Sequence, residues 1–374
     1  MDHGKNIKRA QGAGGMSRRD FLRLGGISLA AGAVLFLPGC QPAPGAEVTS
    51  SESELLAGMI DTSSYQKASP WTVGRAGSGD LNAWMVMFSA HFEYGINEKH
   101  KDLFRDYFVT AANFDPAKQI SDVEDLLSRN IQLLFIDPVA EAPLTPVVEQ
   151  AMNRGIPVVL ASTRVTTDKY VTWVSRNNTQ TGFLYADYMG QQLNGEGKVV
   201  LLMGFAGSSY AEDVLRGVRQ GLSNFPGIEE VGMANANWSP TDAKAAMEAF
   251  IQSNPLIDGV IADGGQMALG AVDALLDAGR AIPPITGDEW NGWLRRAKEL
   301  DIEFMAVSAG QPLSLIAVDQ AVKILQGEPV IKNVEYPITT FTQDELDNYY
   351  REELSDQYWG IHDLPEDWIQ RLYG

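Results

Sequence analysis

The sequence predicts two α/β lobes, each built on a doubly wound parallel sheet. Three observations carry that expectation. Short apolar runs alternate with amphipathic stretches from Trp71 onward, the alternation restarts as a second series at Lys198, and Leu256 to Trp293 reads as a complete strand-turn-helix-strand unit. In that unit Val260-Ile261-Ala262 enters Asp263-Gly264-Gly265-Gln266, and a helical pattern of Met267, Leu269, Val272, Leu275 and Leu276 follows. A second strand then ends in Gly287-Asp288-Glu289-Trp290-Asn291. A right-handed crossover puts both strand ends on one edge of a parallel sheet, so Asp263, Gln266, Asp288, Trp290 and Asn291 would share the crevice where open α/β sheets bind ligands.

Ahead of the lobes, residues 1–40 read as an export signal. Lys5, Lys8 and Arg9, with Ser17-Arg18-Arg19-Asp20-Phe21-Leu22, precede an apolar run from Leu24 to Leu37 that is too short to span a membrane. The paired arginines resemble a twin-arginine signal, and Leu37-Pro38-Gly39-Cys40 resembles a bacterial lipoprotein cleavage box. Cys40, the only cysteine, would become the lipid-bearing first residue and leave no thiol for disulfides or thiol catalysis. Residues 41–69, rich in Pro, Ser, Ala and Glu, read as a flexible tether, with Leu55-Leu56 and Met59-Ile60 suited to one short helix. The net charge of −19 argues against binding the phosphate backbone of nucleic acid and repels anionic headgroups, so acyl chains would hold the protein at a membrane.

In the first series, strands are expected at Trp71 to Gly74, Leu103 to Thr110, Ile131 to Ile136, Ile156 to Ala161 and Val171 to Val174. Helices are expected at about Ala83 to Gly95, Pro116 to Ser128, Leu144 to Asn153 and Gln180 to Leu193. The second series has strands at Val199 to Met203, Glu230 to Ala236, Gly259 to Ala262, Pro284 to Thr286 and Phe304 to Ser308. Its helices are about Ala211 to Asn224, Pro240 to Gln252, Gln266 to Ala278, Asn291 to Leu300 and Pro312 to Gln326. Gly195-Glu196-Gly197 marks either a break between the series or a helix end. The acidic, aromatic tail from Asn333 is too short for a core of its own and is expected to pack across both lobes.

Several chemistries find no support. Gly-x-Gly-x-x-Gly is missing from the turn and the P-loop pattern from the chain, so there is no phosphate cradle. His91 and His100 match no metal-ligand spacing, and Gly207-Ser208-Ser209 is not a nucleophile elbow; no metal and no cofactor are called for.

The segment 262–270 with Thr286-Gly287-Asp288 resembles the ribose-type periplasmic sugar-binding proteins. So do Asn113 to Lys118, Leu134 to Pro138, Gly155 to Val159, Arg176-Asn177-Asn178 with Gly182, Gly204 to Ser209, and Leu325-Gln326-Gly327-Glu328, all in order over Trp71 to Val334. The resemblance implies the type I periplasmic binding protein fold: two lobes crossed by three hinge segments that close on a sugar and present it to a membrane transporter. It divides the chain into an N-terminal lobe of residues 70–176 plus about 309–334, a C-terminal lobe of 177–308 and a tail of 335–374. It implies no enzymatic activity, and a monomer whose partners are a sugar or polyol, an ABC permease with its ATPase, and the membrane through the lipid anchor.

Carried over by position, the family's contacts fall on Asn82, Trp84, Asp137, Ser162, Thr163, Arg164, Arg176, Asn177, Glu212, Trp238, Asp263 or Gly264, Asp288 and Gln311, with Trp290 as a further bulky wall. Carboxylates and amides pair with hydroxyls, Arg donates in a fork, and indoles cover C–H faces. Ser162-Thr163 stands where the ribose proteins have Asp-Arg, Glu212 replaces an Arg and Gly264 an Asn. These departures point away from ribose, toward another pentose, a hexose or a polyol. Two other readings stay open: a receptor handing a sugar or autoinducer to a signalling partner, and an envelope enzyme using Asp137, Glu212 and Asp288 as acid/base carboxylates.

Overall fold

The computed structural model describes residues 58–374. The export signal, Cys40 and the tether up to residue 57 lie outside the described residues. Residues 58–69, expected as the end of the tether, are docked on the first lobe. β1 (Met59–Ile60) pairs antiparallel with β12 (Val330–Ile331), and the Lys67 N–H donates to Leu325 O at 2.9 Å. The chain pairs here because Met59-Ile60 finds a free strand edge and not because it is helical.

Parallel strands buried under helices on both sides are mostly apolar on both faces, and the short runs meet that requirement except at Thr72 and Arg75, which pair with Asp106 and Asp137. In the first lobe these are β2 (Trp71–Gly77), β4 (Leu134–Ile136) and β5 (Val158–Ala161), all buried throughout. With β3 (Phe104–Ala111), β6 (Thr172–Ser175) and β13 (Asn333–Glu335) they form a parallel sheet in the order β13-β6-β5-β4-β2-β3. The second sheet runs β14-β11-β10-β9-β7-β8. It joins β7 (Glu196–Met203), β8 (Gly227–Asn235), β9 (Gly259–Ala262), β10 (Ile285–Gly287) and β11 (Phe304–Val307), with β14 (Thr340–Thr342) antiparallel on its edge.

Successive strand residues point to opposite faces, so each sheet feeds two cores. Val73, Phe135 and Val159 pack under α1 (Ala83–Tyr94) and α9 (Leu313–Gln326), whereas Leu134, Ile136 and Leu160 pack under α2 (Pro116–Ser128) and α3 (Glu141–Asn153). In the second sheet Val199, Leu201 and Met203 face α4 (Asn178–Gln192) and α5 (Ser209–Leu222). Val200, Leu202 and Val260 face α6 (Pro240–Ser253), α7 (Gly265–Asp277) and α8 (Asn291–Leu300). Backbone contact lets α4 and α5 pack closely: a Cβ on Gly182 would lie 1.9 Å from Val214 O, and one on Gly217 1.9 Å from Thr179 O. Helix starts follow their caps. Asn82 accepts from Met85 N, Asp115 precedes Pro116, and Ser239 precedes Pro240.

In both sheets the first strand of the series lies inside, with its successors added on either side, so each has a switch point between β2 and β4 or between β7 and β9. The chain passes between the sheets three times, at 175–178, 308–312 and 335–340. The tail then lays Tyr358, Trp359, Leu364, Trp368, Ile369 and Tyr373 into the core over α8, together with Ala83, Met87 and Ala90 of α1.

Candidate functional site

Strand ends of both sheets open on one cavity. From the first lobe come Ser78 after β2, Asn82, Trp84 and Met85 at the start of α1, Phe114 after β3, Asp137 to Val139 after β4, and Ser162 and Thr163 after β5. From the second come Ser208 and Tyr210 after β7, Trp238 after β8, Asp263, Gly264 and Gln266 after β9, Asp288 after β10 and Ala309 after β11. Trp359 of the tail closes the wall. The cavity volume is about 90 Å³, a chamber suited to a small ligand.

The loops that build it are held in costly backbone conformations. Phe114, Ser162 and Trp238, all lining residues, have φ of 62°, 66° and 52°. Such left-handed residues cluster where surrounding structure fixes a functional side chain. Trp238 fits only because residue 204 is glycine, since a Cβ there would lie 2.0 Å from the indole. Phe114 stacks on Phe205 at 5.0 Å and on Trp238 at 6.3 Å, so the aromatic wall is shared between lobes. Trp84 stacks on Phe88 at 4.6 Å and donates its N–H to Ala309 O at 2.9 Å, tying the start of α1 to the 308–312 crossing.

The carboxylates differ in what they are left to do. Asp137 accepts from the Ser78 N–H at 2.7 Å and lies 3.4 Å from Arg75 Nε, while Gln119 pins its loop by donating to Asp137 O and accepting from Val139 N. Asp263 is 1% exposed, and its carboxyl has no hydrogen-bonding partner of good geometry among the described residues. Burial pushes its pKa up to about 8, opposed by the nearby Tyr210 hydroxyl, Arg176 and the Gly204 backbone. Asp288 accepts from Trp290 N at 3.1 Å, and Glu289 from Ala309 N at 3.0 Å on both oxygens. Burial also raises both of their pKa values, and for Glu289 the neighbouring Asp288 adds to it. Arg176, 4% exposed at the first crossing, donates Nη2 to Tyr210 at 2.7 Å and Nε to Asn178, while Nη1 has no partner among the described residues.

The expected set therefore divides. Asn82, Trp84, Asp137, Ser162, Thr163, Trp238, Asp263 and Asp288 line the cavity, and Gly264 does too. Arg164 is engaged elsewhere, bridging Glu141 at 2.8 Å and Asp213 across the lobes, because two carboxylates outbid the cleft for one guanidinium. Asn177 is exposed and caps α4 by accepting from Gln180 N. Glu212 is exposed on α5, where helical geometry turns Asp213 inward and Glu212 out. Trp290 is buried in the core behind Asp288 and bridges Trp359. Arg176 lies behind Tyr210, and Gln311 is fully buried two residues beyond Ala309, with both amide atoms unpartnered among the described residues. The reading by position missed Ser78, Phe114, Ser208, Tyr210 and Trp359. Only the crevice position of Ser208 and Tyr210 after a strand end was a usable signal.

Comparison with known proteins gives a consistent picture. Residues 82–329 match the periplasmic binding protein domain. The xylitol-binding protein of Mycolicibacterium smegmatis is 30% identical over 239 residues, covering 63% of this chain and 68% of the relative. The ribose import binding protein of Bacillus subtilis is 28% identical over 258 residues, covering 68% and 83%. Among solved structures, an ABC transporter solute-binding protein from Thermobispora bispora superposes with a TM-score of 0.73 at 22% identity, over 81% of this chain and 94% of that one.

Proposed function

Because this chain belongs to the periplasmic binding protein domain family, we propose that it is an extracytoplasmic solute-binding protein that captures a small sugar or polyol between its lobes and delivers it to an ABC importer. One observation carries the reading: buried polar groups without partners among the described residues gather at an aromatic-walled cavity and just behind its wall. Asp263 and the Thr163 hydroxyl line it, Arg176 Nη1 lies behind Tyr210, and the Gln311 amide follows Ala309. Each unmet group costs about 1–3 kcal/mol, and a ligand with several hydroxyls would meet them while its C–H faces lie on Trp84, Phe114 and Trp238. Xylitol and ribose are named for relatives of this chain and have that character.

On this reading the ligand contacts are the lining residues Asn82, Trp84, Asp137, Ser162, Thr163, Trp238, Asp263 and Asp288, with Arg176 and Gln311 at the crossings. Residues 70–176 with 309–334 form one lobe and 177–308 the other, closing about the three crossings so that ligand selects the closed state. The protein performs no chemistry on its ligand and acts as a monomer. A twin-arginine signal exports it, and Cys40 carries the lipid that keeps it near the permease. The test is thermal unfolding against pentoses, hexoses, polyols and nucleosides. A ligand at ~100 times its Kd adds ~2.7 kcal/mol, and a shift with one sugar or polyol is the expected result. Silence across sugars with a response to nucleosides would overturn the ligand class.

A further inference from the structure

We propose that the C-terminal segment, outside the matched domain, is part of the ligand site, and that Trp359 is a specificity-determining residue which it delivers. The inference rests on the solute-binding reading and extends it to a stretch that the family match, ending at residue 329, does not cover. Trp359 lines the cavity, is 2% exposed, and its indole N–H meets no acceptor among the described residues. A buried donor without a partner in a cavity wall is a place for a ligand oxygen.

The segment is held too firmly to be an incidental covering. Asn291 Nδ2 donates to the carbonyls of Arg351, Leu354 and Ser355 at 2.9, 3.2 and 3.1 Å, and its Oδ1 accepts from Arg351 N at 3.0 Å. Asn291 N donates to Tyr358 O, Gly360 N to Glu289 O, and Trp290 pairs with Trp359 as a β-bridge. The strand that places Trp359 is therefore grafted onto the residues that follow Asp288. Beyond it the chain passes to the first lobe's α1, the helix that brings Asn82, Trp84 and Met85 to the cavity. Asp363 N donates to His91 Nε2 at 3.2 Å, and Tyr94 meets Trp368 edge-on at 5.6 Å. Trp359 thus sits between anchors on the ligand-bearing parts of both lobes, and its bulk takes up part of the wall of the cavity that Asp288 also lines.

The ligand class that follows is a small polyhydroxylated molecule with an oxygen placed to accept from the indole, with the wall excluding larger rings. The full chain and its Trp359→Phe and Trp359→Ala variants would be titrated calorimetrically with xylitol, D-ribose, L-arabinose, fructose and myo-inositol. Removing the N–H while keeping a ring, Trp359→Phe should weaken the best ligand of the unaltered protein roughly tenfold. Opening the wall, Trp359→Ala should shift the ratio of Kd values toward the bulkier probes by roughly tenfold or more. Far-UV circular dichroism and the unfolding midpoint report whether each variant folds. A purely structural Trp359 would lower the midpoint and leave those ratios alone. If the unaltered protein binds and both variants keep every ratio, and the affinity of Trp359→Phe, within twofold, the segment is not part of the site and only this inference falls. If the unaltered protein binds none of the probes and no other sugar, polyol or nucleoside shifts its thermal unfolding, the solute-binding reading falls and takes the inference with it.

Discussion

Replacing Asp263 with Asn should change how stability depends on pH, in a direction fixed by the burial of one carboxyl. Asp263 is pushed up to about 8, against 3.8 for an unperturbed aspartate. Between those values the folded chain keeps a proton that the unfolded chain has lost, so stability falls as pH rises through the window and levels off above the folded value. The slope is at most about 1.4 kcal/mol per pH unit, so from pH 5 to pH 8 the loss attributable to this group reaches ~4 kcal/mol at its upper bound. Asparagine has nearly the same shape and stays neutral throughout. The Asp263→Asn protein should therefore already lead the parent by up to about 1.6 kcal/mol at pH 5 and gain on it steadily toward pH 8. Urea unfolding at pH 5, 6, 7 and 8 measures this, and the difference between the two proteins removes most of the background from Asp288 and Glu289 that both share. A difference constant to within ~0.5 kcal/mol would show that the buried carboxyl is already charged, and the reasoning from desolvation would fail. A ligand hydroxyl donating to Asp263 favours the carboxylate, so saturating ligand should flatten the parent's slope.

Asp288→Ala should abolish ligand binding, by ~100-fold or more in calorimetry, while the protein still folds; affinity within twofold of the parent would remove this residue from the site. Gly204→Ala puts a Cβ 2.0 Å from the Trp238 indole, so it should displace that wall, cost ~1–3 kcal/mol in urea unfolding and weaken binding, and full affinity would show that Trp238 is not a contact. Gly217→Ala puts a Cβ 1.9 Å from Thr179 O and should destabilise by ~1–3 kcal/mol despite a helix-propensity gain of ~1 kcal/mol. A net rise in its urea midpoint would show that α4 and α5 can separate at little cost.

Much of the fold was legible because it is written locally. Apolar runs of four to eight residues bounded by turn residues fit parallel strands buried on both faces, and caps such as Asn82, Asp115-Pro116 and Ser239-Pro240 mark where helices begin. Asp263 and Asp288 could be placed together in advance because a right-handed βαβ crossover leaves no other edge for them. Phe114, Tyr210 and Trp359 could not. Phe114 reaches the cavity through a left-handed turn in which both Asn113 and Phe114 have positive φ, and no local pattern announces that conformation in a phenylalanine.

The sequence by itself determined two α/β lobes, the order of their strands and helices, and an aromatic and acidic set of residues at the strand ends, since periodicity, capping and crossover handedness act over neighbouring residues. The tertiary structure decided which polar groups remained free. Arg164 is claimed by Glu141 and Asp213, Asn177 by its helix, and Glu212 by solvent, while Asp263 keeps a carboxyl with no partner of good geometry among the described residues and Trp359 arrives from the far end of the chain. Competition for a hydrogen bond or an ion pair is settled by distance in space, and except for the local cap at Asn177 the contenders here are separated by tens to hundreds of residues along the chain.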